Sequence, residues 1–68
     1  MQQHLLVVHK QDHKYMFIYP GGDLRALCGV LLRFAHNAHY NLNAVDVRNI
    51  MERLCRRTMI EAMEEVSL

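Results

Sequence analysis

Residues 4–19 hold two short apolar segments, HLLVVHK and KYMFIY, joined by the polar residues Gln11, Asp12 and His13. Both are rich in β-branched and aromatic side chains and read as the strands of an antiparallel hairpin. Successive residues of a strand point to opposite faces. One face therefore carries Leu6, Val8, Tyr15, Phe17 and Tyr19, and the other Leu5, Val7, His9, Met16 and Ile18. Both faces are apolar, and no other feature constrains the chain as much. A two-stranded sheet of this kind must be covered on both sides, or one large apolar face stands in water. The expected register has a two-residue loop at Asp12-His13 with Lys10 opposite Tyr15, because a three-residue loop would oppose Lys10 to Lys14.

The remainder of the chain supplies one cover. Pro20-Gly21-Gly22 ends the second strand, and Asp23 is a good N-cap for a helix. Leu24, Leu27, Cys28, Leu31, Ala35 and Ala38 recur at three- and four-residue steps, which predicts an amphipathic helix over about 23–38. Asn37 and Asn41 mark its end. Asn43, with Asp46 three residues on, is a near match to a capping box. Val47, Ile50, Met51, Leu54, Thr58 and Ala62 then form a stripe with Cys55 at its edge, predicting a second helix over about 44–65. Its last turn would carry Glu61, Glu64 and Glu65 at the negative end of the helix dipole, so that turn is expected to fray or to lean on something. The expected fold is α+β, one domain spanning 1–68: a two-stranded antiparallel hairpin followed by two antiparallel helices.

Chemistry has little to stand on. The stretch YPGGDL has the order of parts of a phosphate loop, but it matches neither G-x-x-x-x-G-K-[ST] nor G-x-G-x-x-G. The Asp23 carboxylate at the helix mouth would repel a phosphate. The pairs His36/His39 and His9/His13 each offer two imidazoles to a metal. A third ligand would have to come from Asp12, Cys28 or Cys55, and both cysteines sit on inward stripes, so solvated histidines and no metal site are expected. The only serine, Ser67, lies in the tail, and an unactivated buried thiol is no nucleophile. Neither an enzyme nor a cofactor is expected. Cys28 and Cys55 are expected to be free and largely buried.

Eight Lys+Arg against seven Asp+Glu give a net charge of +1. Arg53, Arg56 and Arg57 on the second helix are the candidate nucleic-acid contacts. However, residues 43–66 hold four basic and five acidic side chains, against four basic and two acidic in residues 1–42. The would-be recognition helix is thus the less basic part, and counterion release needs a concentrated positive surface. The run between Arg25 and Arg33 is too short for a membrane span, and MQQHLL lacks a basic leader and a long apolar stretch. A cytoplasmic protein with reduced thiols is the expectation.

A chain of 68 residues buries only about 60% of its unfolded surface, so its stability margin is thin. Met59 and Met63 widen the apolar surface of the second helix and are candidates for a partner contact. The expected function is a non-catalytic interaction and dimerisation module. If the helices cover one hairpin face, the Leu6, Val8, Tyr15, Phe17 and Tyr19 face or its opposite remains for a second copy, and pairing of free edges would complete a four-stranded sheet. The aromatic face is expected to form the dimer interface, and nucleic-acid binding is the alternative function.

Overall fold

The computed structural model describes residues 2–68 and runs β1 (Gln3–Lys10), β2 (His13–Pro20), α1 (Leu24–Ala35), α2 (Ala44–Cys55) and β3 (Met63–Ser67). β1 and β2 pair antiparallel, with Leu6 opposite Phe17 and Val8 opposite Tyr15. The loop is two residues long, but it is Gln11-Asp12 and sets Lys10 opposite His13, two positions from the expected register. A shift of two preserves the faces, because side chains alternate with a period of two. Gln11 takes a φ of 54°, which lets the hairpin close without glycine.

The strand exit and both helix starts follow from local chemistry. Asp23 N–H donates to the Pro20 carbonyl at 3.0 Å, and Gly22 has φ 81°, a value the third position of a type II turn requires and glycine permits. Gly21 packs against β1, where a Cβ would lie 2.9 Å from His4 Nε2. The Asp23 carboxylate accepts from the Ala26 N–H at 3.0 Å. At α2 the capping box is complete: Asp46 N–H donates to Asn43 Oδ1 at 2.9 Å and Asn43 N–H to Asp46 Oδ2 at 3.2 Å.

The second helix departs from expectation. It stops at Cys55 with Arg56 as cap and Arg53 in its last turn, so cations stand at its negative end. Residues 63–67 are an extended strand. β3 lies parallel to β1, with Leu6 beside Glu64 and Val8 beside Val66, and the order β2-β1-β3 makes a three-stranded mixed sheet. One of the two hairpin edges at which a second copy was expected to pair, that of β1, is therefore filled by the chain itself. The first helix also ends early, at Ala35.

Both helices pack on one face of the sheet. Leu6, Val8, Phe17, Tyr19 and Val66 from the strands meet Leu27 and Leu31 from α1, Val47, Ile50 and Leu54 from α2, and Leu42 from the connection. Phe34 locks α1 to this face, its ring centroid 4.9 Å from Phe17 and 4.4 Å from Tyr40. Lys10, at the end of β1, pairs with Asp46 at the start of α2. The cysteines are free as expected, but not buried: Cys28 is half-buried and Cys55 exposed. Cys55 is the last residue of its helix, where the core that covers Leu54 has ended.

Candidate functional site

The face of the sheet away from the helices is the candidate site. Its rows follow from the two registers: Lys14, His9 and Ser67; Met16, Val7 and Glu65; Ile18, Leu5 and Met63. Val7, on the central strand, is buried by its neighbours. The edge strands are not so protected. Met16 is 61% exposed, Ile18 66% and Met63 53%, three large apolar side chains on one continuous surface. On β2 this follows from a segment that is apolar at every position from Tyr15 to Tyr19, so whichever face the helices cover, the other stays apolar. The rim is polar, with exposed Lys14 on β2 and exposed Glu65 on β3. Glu65 Oε2 stands 3.8 Å from His9 Nε2.

The residues named from sequence are distributed differently. Leu6, Val8, Phe17 and Tyr19 lie in the core beneath the helices, and Tyr15 packs at its margin with its hydroxyl accepting from the Asn41 N–H at 2.8 Å. This corrects the choice of interface: the aromatic face is already covered by Phe34 and the helix leucines, and the opposite face is the one left open. Met63 is on the open face. Met59, 77% exposed, lies in the connection between α2 and β3, and neither methionine is helical. Leu5, Val7, Met16 and Ile18 are legible in the sequence as one hairpin face, and Met63 as a contact residue, but the strand that brings Met63 and Glu65 onto that face is not, because residues 63–65 continue the helical spacing of α2.

Two of the candidate arginines are held within the fold. Arg53 donates to the Ser67 carbonyl at 2.7 Å, and Arg57 Nε lies 3.2 Å from Glu64 Oε2. Arg56 is exposed. Arg48 and Glu52 face each other at 3.7 Å along α2. His36 and His39 are exposed, while His9 and His13 fall on opposite faces of the hairpin. Among the described residues no three His, Cys, Asp or Glu side chains converge on a common point, and no pocket opens.

Among the described residues one charged side chain is buried. Glu64 points to the core side of β3, 4% exposed, and accepts from the Glu61 N–H at 3.1 Å in addition to Arg57. Its neighbour Tyr19 is buried as well. Burial, and then the Glu64 charge, raise the Tyr19 phenol above its ordinary value of 10.0. The Tyr19 hydroxyl and His4 Nδ1 have no hydrogen-bond partner among the described residues, and their rings meet edge to face at 5.7 Å.

Compared with protein-family models, curated proteins and solved structures, the chain matches none. Its geometry alone bears on function. That geometry offers an open apolar surface.

Proposed function

We propose that this chain is a small non-catalytic interaction module that forms a homodimer through the open face of its sheet. The observation that carries the reading is the contiguous exposure of Met16, Ile18 and Met63 around the buried Val7. Apolar patches rimmed by polar residues mark contact surfaces on small proteins. Both thiols are free, which suits a reducing, cytoplasmic compartment. Two of the candidate arginines favour the fold over a nucleic acid, since Arg53, in the last turn of α2, and Arg57, just beyond it, are occupied by Ser67 and Glu64.

Light scattering at tens of micromolar tests the reading, and the expected mass is that of a dimer. Ile18→Lys puts a charge in the middle of an exposed patch without touching the core, so it should give a folded monomer with an unchanged circular dichroism spectrum. A wild-type chain that stays monomeric, or an Ile18→Lys variant that still dimerises, rejects the open face as the interface. Titration with a short DNA duplex and RNA at low salt should leave the amide signals of Arg53, Arg56 and Arg57 in place.

A further inference from the structure

Two copies can meet on the open face in more than one orientation, and the charges on that face select one. β1 runs down its middle, with β2 on one side and β3 on the other. Lys14 lies on the β2 side in the row of His9, and Glu65 on the β3 side one row along, beside Val7. Lys14 is exposed and has no acidic partner within ion-pair distance among the described residues. The two opposite charges thus flank the central strand. That is the arrangement in which a surface can be its own complement.

Resting on the homodimer reading, we propose that the second copy packs face to face about a two-fold axis parallel to β1, with Lys14 of each copy against Glu65 of the partner subunit. Such an axis exchanges the two sides of the sheet. β2 of one copy lies over β3 of the other, Ile18 over Met63, and Lys14 within one row of the opposing carboxylate. A lysine's four-carbon stem spans that step. Packed sheets lie about 10 Å apart with strand directions within about 30° of each other, so the rows stay close to alignment.

Two other symmetric arrangements fail on the same residues. An axis across the strands would set β2 over β2, with Lys14 above the Pro20 end and Glu65 above Met63, and neither charge would meet an opposite one. Pairing of β2 edges would extend the sheet but leave both apolar faces in water, doubling the exposure it had to remove. The face measures roughly 26 by 14 Å from strand rise and spacing. That footprint is below the ~800 Å² per partner of a standard interface, the size class of weak and transient contacts.

The test is a charge exchange on the full chain, read by sedimentation equilibrium. Lys14→Glu sets two carboxylates together at each of two symmetric positions, and Glu65→Lys sets two ammonium groups there. Each single variant is expected to weaken self-association about tenfold or more, with an unchanged far-ultraviolet circular dichroism spectrum because both residues are exposed. An equimolar mixture of the two single variants should recover association, as should the double variant Lys14→Glu/Glu65→Lys. Single variants that dimerise as tightly as the wild type, or a mixture that fails to recover, overturn this orientation while a dimer sensitive to Ile18→Lys leaves the open face standing. A monomeric wild type overturns both.

Discussion

Tyr19 shows how much a single side chain in this small core depends on its neighbours. Its ring is fully packed, yet its hydroxyl is buried with no partner among the described residues, and the Glu64 charge acts on it. A buried hydroxyl that forms no hydrogen bond costs stability. Tyr19→Phe is therefore expected to leave stability unchanged or to raise it by up to about 1 kcal/mol in urea denaturation, and a loss of about 2 kcal/mol or more would mean the hydroxyl is partnered. The same phenol sets an alkaline limit. Its folded value is raised above the unfolded 10.0, so between the two the unfolded chain has lost its proton and the folded chain has kept it. Stability is fully present below pH 10 and falls as pH rises past it. Tyr19→Phe should remove that part of the decline, visible as a flatter melting temperature above about pH 10.

At the scale of elements, the caps were legible in the sequence and the helix ends were not. Asn43 and Asp46 read as a capping pair, and both reciprocal hydrogen bonds form. Asn43→Ala removes the acceptor for the Asp46 N–H and is expected to cost about 1 kcal/mol, measured by chemical denaturation. An effect below a few tenths would mean that water replaces the cap. The end of α2 escapes a reading of spacing because the four-residue steps of Leu54, Thr58 and Ala62 continue past Cys55. Periodicity along one segment cannot report that an unpaired edge of β1 competes for the same residues. A signal was present nonetheless. Glu61, Glu64 and Glu65 oppose the dipole of a long helix, whereas a helix ending at Cys55 is closed by Arg53 and Arg56. The alternation of Met63, Glu64, Glu65, Val66 and Ser67 carries a period of two, disguised because one inward position is a glutamate.

For the whole molecule, the sequence showed that both hairpin faces are apolar but not which one the helices would cover. The choice depends on Phe34 reaching Phe17 and on Lys10 reaching Asp46, contacts between residues far apart in the chain. The parallel pairing of β1 with β3 has a mechanical consequence. It is closed at both ends, by the Leu5 N–H on the Ala62 carbonyl at 2.7 Å and the Leu68 N–H on the His9 carbonyl at 2.8 Å. Since the two strands run the same way, stretching the chain between residues 2 and 68 slides them past each other and strains every hydrogen bond of the pair together. Stretching between residues 2 and 20, where Gln3 lies opposite Pro20, opens the antiparallel pair one bond at a time. Single-molecule pulling at equal loading rate is expected to need the higher force in the first geometry, and equal forces would show that β3 detaches before the pair is sheared. A module built this way resists tension along its length and yields to a peel from one corner.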